Sequence, residues 1–597
     1  MRGKAATGGP RHRWFGAASG DRQGRRPERA LAVLLLAAAL AACARQPAFD
    51  GPVGEPLRVD GSGVAGNWLA GTWALEAGEF RRAVTLLRRA AELAPGNVEI
   101  LRRLVQAEIA SGDFRAAVAD ARRLVEAAPG RFEAELLLAL DAFRRGEVAA
   151  ARRRLARLEA PGLGRMLVPF LAAWLEMARG DAKAALRRLD GPGVTRGIPW
   201  LHAVHTAAIL LARGDVAGAR RVLEAVRGGG RMPAALVWMA AHLDDRLGER
   251  ARARQRVARA RARRPEDPVL EWLAERLAGE APVPPPFAGP PAAVADALVR
   301  LAEALDVTRA RFRALRLARL ALFVDPGHDE ARYRVAAIAA ALGDREGALA
   351  ALDGIDPDSP FAFPAGLLRA RVLVALERRR EGYALLERLA EEHPDAIAPL
   401  VTLGDLLRRE EAWARARRAY RRAVARLERV EPGHWRLFYA LGVTLERSGR
   451  WAEAERAFRR ALELDPDQPL VLNYLAYSWV ERGERLEEAR EMLHRAVELA
   501  PRDGFIVDSL GWAYYRLGDY ARAIEYLERA VELEPGDPVI NDHLGDAYWR
   551  VGRRREARFQ WRRVLTLEPD ADLAARVREK LRRGLGEDVT LADADGR

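Results

Sequence analysis

The chain has 597 residues, 49% of them apolar and 30% charged, a formal charge of +14 and a single cysteine. That length exceeds one compact core, so several domains or a repeat array is expected. One cysteine excludes an intrachain disulfide framework, a Cys-x-x-Cys redox pair and a cysteine-built zinc site. Residues 1–42 hold eight basic and two acidic side chains, so without them the charge falls from +14 to +8. That is a mild excess over such a length, suited to weak attraction by anionic lipid or polysaccharide and not to a nucleic-acid footprint.

Arg22, Arg25, Arg26 and Arg29 form a basic block ahead of the uncharged run Ala30–Ala42. The run is too short to span a bilayer as a helix but has the length of a signal hydrophobic region. It ends Leu40-Ala41-Ala42-Cys43, with the chain's one cysteine in the last place. This resembles a bacterial lipobox; the alternative is a buried thiol. The resemblance implies removal of a lipoprotein signal peptide (1–42) and acylation of Cys43. Ala44 in the next position implies the outer membrane, with the body facing the periplasm. Residues 43–63, rich in Pro and Gly, read as the lipidated cysteine and its flexible tether.

Beyond residue 63 the chain is periodic. Gly78, Gly112, Gly146, Gly180, Gly214 and Gly248 are each thirty-four residues apart, between apolar helical stretches. Glycine ends a helix there because it adopts the left-handed conformation without a Cβ clash. The turns recur near Arg309, Gly343, Glu377, Glu411, Gly449, Gly483, Gly518 and Gly552, while Pro466, Pro501, Pro535 and Pro569 close units. In the clearest copy, 435–468, Phe438, Leu441, Gly442 and Leu445 face Ala454, Phe458 and Ala461. The pattern resembles the tetratricopeptide repeat and implies an all-α solenoid of about fourteen helix pairs. It spans an N-terminal solenoid (64–281) and a C-terminal solenoid with a capping helix (293–583), before an acidic tail (584–597). Residues 282–292 (PVPPPFAGPPA) cannot be helical and read either as a semi-rigid hinge or as a surface loop within one superhelix.

No phosphate loop, dinucleotide fingerprint, zinc-protease motif or nucleophile elbow occurs, so no enzyme, cofactor or metal is expected. His202 and His205 share a helix face but have no further ligand nearby in sequence.

Eight of eleven tyrosines lie between Tyr439 and Tyr548. In the first helix of a repeat the positions expected to face the groove are Tyr439, Asn473, Tyr477, Asp508, Trp512, Tyr515, Asp542, Asp546 and Trp549. Rings interleaved with polar groups suit peptide binding; the alternative is that they pack between helices. Arg516 and Arg550 are candidates for a partner's carboxylate.

The segment from Asn473 to Pro569, with Asp508-Ser509-Leu510-Gly511-Trp512-Ala513-Tyr514-Tyr515 and His543-Leu544-Gly545-Asp546-Ala547-Tyr548-Trp549, carries a further resemblance. It is similar to outer-membrane lipoproteins that act as adaptors for periplasmic C-terminal processing proteases. That implies a membrane-anchored scaffold whose protein partners are a protease and its substrates. The competing expectation is an assembly scaffold for an envelope export machine, serving polysaccharide secretion, a pilus or outer-membrane protein insertion.

Overall fold

The computed structural model describes residues 63–158, 163–191, 198–226, 232–307 and 310–586. Residues 1–42, the lipobox Leu40, Ala41 and Ala42, Cys43, the tether up to residue 62, the turn near Arg309 and the tail beyond 586 lie outside them. No described helix is long and apolar enough to cross a membrane.

Each pair of helices follows from one local rule. In Phe80–Leu93 the residues Phe80, Ala83, Val84, Leu87, Ala90 and Ala91 recur at helical spacing and are buried, leaving the arginines outward. In several pairs the turn is a glycine with positive φ followed by an aspartate that caps the next helix. Gly112 has φ +86°, and Asp113 accepts from Ala116 N. Gly214-Asp215, Gly343-Asp344 and Gly518-Asp519 repeat the arrangement, with Asp215, Asp344 and Asp519 accepting from the N–H three residues on. Where the sequence has Glu377 and Glu411 at the repeat position, the backbone still turns left-handed, with φ of 62° and 56°. Tertiary packing holds that conformation against the side chain's preference.

The described residues form fourteen such pairs, one unpaired helix, Pro268–Ala278, and a capping helix, Ala571–Arg583, with no strand among them. The architecture is an all-α tetratricopeptide-repeat solenoid. Its contacts divide into two units at 389/390, within the helix Arg379–Glu392.

That boundary differs from the expected division into 64–281 and 293–583. The Pro-rich segment 282–292 lies inside the first unit, where Val283 is 3% and Phe287 7% exposed, and against expectation its last four residues are helical, Pro290 and Pro291 sitting in the first turn of Gly289–Val307, where no N–H donor is needed. It is fastened there by polar contacts. Val283 N donates to Asp245 at 2.7 Å, Trp238 Nε1 donates to Pro284 O at 2.9 Å, and Arg276 Nε donates to Pro282 O at 2.7 Å. Arg250 meanwhile holds the carbonyls of Arg276, Gly279 and Ala281.

The chain then folds back on itself. The helices Gly289–Val307 and Arg311–Val324 pack on Val98–Ser111, Phe132–Arg144 and Leu163–Ala178, the first helices of the second, third and fourth pairs. Phe323 lies 4.6 Å from Phe114, and Arg316 pairs with Glu133 at 2.6 Å across 183 residues of sequence. Val98–Ser111 is therefore buried around most of its circumference, including Gln106 and Glu108. The inner helix row of this stretch is filled by its own chain.

In the second unit the pairs close tightly. A Cβ at Gly511 would stand 2.7 Å from Leu527 Cγ, and one at Gly545 would stand 2.5 Å from Trp561 Nε1. Only glycine permits that approach, which seats the outer helix on one face of the inner one and leaves the opposite face for neighbouring inner helices.

Candidate functional site

The inner helices of the second unit are Ala398–Arg409, Trp435–Arg447, Pro469–Arg482, Gly504–Arg516 and Pro538–Arg550. The nine sequence-selected residues all lie on the last four of these, in two groups.

The first group is a connected aromatic and polar floor. Tyr515 and Trp512 stack at 4.5 Å with 7° between planes, and Trp512 stacks on His543 at 4.1 Å. His543 Nδ1 lies 3.0 and 3.1 Å from the oxygens of Asp508, which is wholly buried. Burial opposes a charge on His543, but Asp508 beside it, aided by Asp542 and Glu481, raises its pKa above the usual histidine value. Trp512 Nε1 donates to Glu481 Oε1 at 2.9 Å. Arg550 Nε donates to the Tyr515 hydroxyl at 3.1 Å, and Tyr515 itself is buried. Arg516, on the same helix as Trp512, is half-buried.

Tyr477 is half-buried, and burial followed by the Glu481 carboxylate pushes its hydroxyl well above the ordinary tyrosine value. Tyr439 packs among Trp435, Phe458 and Tyr474, with burial raising its pKa to about 12. Asn473 is 5% exposed, and its Oδ1 accepts no hydrogen bond. A buried amide oxygen left without a donor is costly unless something else supplies one.

The second group lies under the capping segment. Lys580 Nζ reaches Asp542 at 2.8 and 2.9 Å and Asp546 at 2.7 Å to both oxygens. Trp561 Nε1 also donates to Asp546, whose pKa is pushed up to about 6 by burial and by Asp542, against the pull of Lys580. Gly584 passes so close to Trp549 that a Cβ would meet Cζ2 at 2.0 Å, and Arg550 donates to Gly586 O at 3.0 Å. Asp542, Asp546 and Trp549 thus engage the chain's own C-terminal helix. The face left open runs through Tyr439, Tyr477 and Trp512.

Glu481, His543 and Lys580 were not singled out from sequence. Glu481 is one helical turn beyond Tyr477, a spacing that places both on one face, so it had a readable signal. His543 and Lys580 are joined to their partners only across repeats.

His205 and His202 do not converge. Trp174 Nε1 donates to His205 Nδ1 at 2.7 Å, whereas His202 Nε2 lies by Thr206. Among the described residues, no group of three or more His, Cys, Asp or Glu side chains is placed to hold a metal ion. The open face offers half-buried rings and the Glu481 carboxylate, which can bind a chain segment.

Residues 74–140 and 445–510, 401–469, and 508–537 match three tetratricopeptide-repeat families. No curated protein matches the sequence. Among solved structures, the Cut9–Hcn1 assembly of the APC/C is 16% identical, with a TM-score of 0.36 over 76% of this chain and 96% of that one. YrrB, described as a repeat protein with an unusual peptide-binding site, is 19% identical, with a TM-score of 0.25 over 29% of this chain and 86% of its own. MamA from Desulfovibrio magneticus RS-1 is 23% identical, with a TM-score of 0.26 over 30% and 97%.

Proposed function

We propose that this tetratricopeptide-repeat chain is a lipid-anchored periplasmic scaffold that captures an extended protein segment on the inner face between Tyr439 and Trp512. The observation that carries the binding reading is the row of half-buried inward rings, Tyr439, Tyr477 and Trp512, with the Trp512 indole held by Glu481. Apolar side chains of a peptide lie against the rings, and its N–H groups donate to the Glu481 carboxylate. In the first unit the corresponding inner face at Val98–Ser111 is taken by the helix Arg311–Val324, which favours the second unit as the receptor.

The lipobox ending at Cys43 supports an outer-membrane anchor. The resemblance of Asn473–Pro569 to protease adaptors supports a partner pair made of a C-terminal processing protease and its substrate. Affinity capture of the tagged chain from cross-linked envelopes, beside its Trp512→Ala variant, tests both. A processing protease recovered with cell-wall hydrolases, and lost from the variant, is the expected result. Recovery of polysaccharide, pilus or outer-membrane assembly proteins instead replaces the adaptor by an assembly scaffold. Equal recovery by the variant removes the groove.

A further inference from the structure

The Pro-rich segment does more than join helices. Pro284, Pro286 and Phe287 form one wall of a cleft of about 860 Å3 within the 63–389 unit. Facing it are the indoles of Trp238 and Trp272, 5.1 Å apart and inclined at 57°. Both indole N–H groups are already engaged by backbone carbonyls, Trp238 by Pro284 O and Trp272 by Asp358 O at 2.7 Å. The rings therefore offer the cleft their π faces and no donor. One indole already seats a cation, since the Arg276 guanidinium lies 5.0 Å from the Trp272 centroid.

The floor and rim are acidic. Asp296 is 4% exposed and held by its neighbours, with Oδ2 3.3 Å from His205 Nε2 and Oδ1 3.3 Å from Arg300 Nε. Glu303 and Glu330 are answered by Arg300 and Arg334. Asp325, Asp329, Asp356 and Asp358 line the same cleft, and none has an ion-pair partner among the described residues. In a chain of net charge +14, a lining of eight carboxylates against four arginines marks a local reversal of sign.

We propose that this cleft binds an alkylammonium or guanidinium cation on an aliphatic stem. The stem lies on Trp238 and Trp272, and the charged head is directed to Asp356 and Asp358 on the unpaired part of the rim. Spermidine carries this chemistry as a free molecule, and a Lys or Arg side chain carries it within a peptide.

Calorimetric titration of the purified full chain with spermidine, with a Gly-Ser peptide bearing one Arg, and with a neutral glucose oligosaccharide tests the proposal. At least one of the two cations binds, and tighter binding of one identifies the source. The Asp356→Asn/Asp358→Asn double variant keeps the backbone contacts of both residues and weakens cation binding by about tenfold or more. Trp512→Ala leaves that binding unchanged, which separates this site from the peptide groove. Binding by neither cation, binding by the oligosaccharide alone, or equal cation binding by a normally helical double variant overturns the proposal.

Discussion

Trp512 and His543 lie face to face, 4.1 Å between ring centroids and 13° between planes, although 31 residues separate them. The imidazole is tied edge-on to Asp508, so its charge is held directly under the indole. A repeat-to-repeat contact of this kind couples the stability of two neighbouring pairs to one proton.

The sign of that coupling is fixed. The folded pKa of His543 is raised, by Asp508 against burial, above the unfolded value of about 6.5. Its contribution to stability is full below the unfolded value and is lost as pH rises through the folded one. The Tm of the second unit should therefore fall as pH is raised from 6.5 through the folded pKa. Asp508→Asn, compared by thermal unfolding, should flatten that slope and lower stability by about 2 kcal/mol at pH 6.

Trp512 is half-buried, whereas Tyr515 is buried and packs edge-on against Tyr520. Their alanine variants should differ. Tyr515→Ala should destabilise the unit by about 3 kcal/mol, as a core deletion does. Trp512→Ala should cost about half as much, leave circular dichroism unchanged and abolish partner capture.

Lys580 is the counterion of two buried carboxylates. Lys580→Met should destabilise the C-terminal helix by about 3–5 kcal/mol at pH 8. Because Asp546 already titrates near 6, above its unfolded value, its stabilising effect lies at low pH and is lost as pH rises through 6. The variant's penalty should shrink at pH 5, read as slower amide exchange across 571–583 than at pH 8 after correction for intrinsic rates.

Glu411 sits at φ 56° where most other copies carry glycine. Glu411→Gly should raise stability by about 0.5–1 kcal/mol, the relief of left-handed strain less the added freedom of the unfolded chain. A lower Tm for this variant would mean that the glutamate side chain itself anchors the turn.

The pair-by-pair fold was readable because most repeats declare themselves within about thirty-four residues, through a turn glycine and an apolar stripe, some with a capping aspartate. Even Glu377 and Glu411 could be placed by counting. The filling of the first inner row by 289–324 was not readable. Arg316 and Glu133 meet across 183 residues, and neither differs locally from any other arginine or glutamate in the array. The site was half legible for the same reason. Tyr477 and Trp512 stand out as rings at inward positions, but nothing near Asp542 announces that Lys580 will occupy it.

An open array of helix pairs can gain or lose a unit, because each contacts only its neighbours. The salt bridge between Arg316 and Glu133 removes that freedom here. Inserting or deleting one pair between residues 145 and 288 would displace the returning helices from the row they fill. The copy number of this stretch is therefore locked, and a chain cut before residue 289 would strip Phe323 from Phe114 and Arg316 from Glu133. During synthesis the early pairs must wait, incompletely covered, until the ribosome has delivered the two helices that close them.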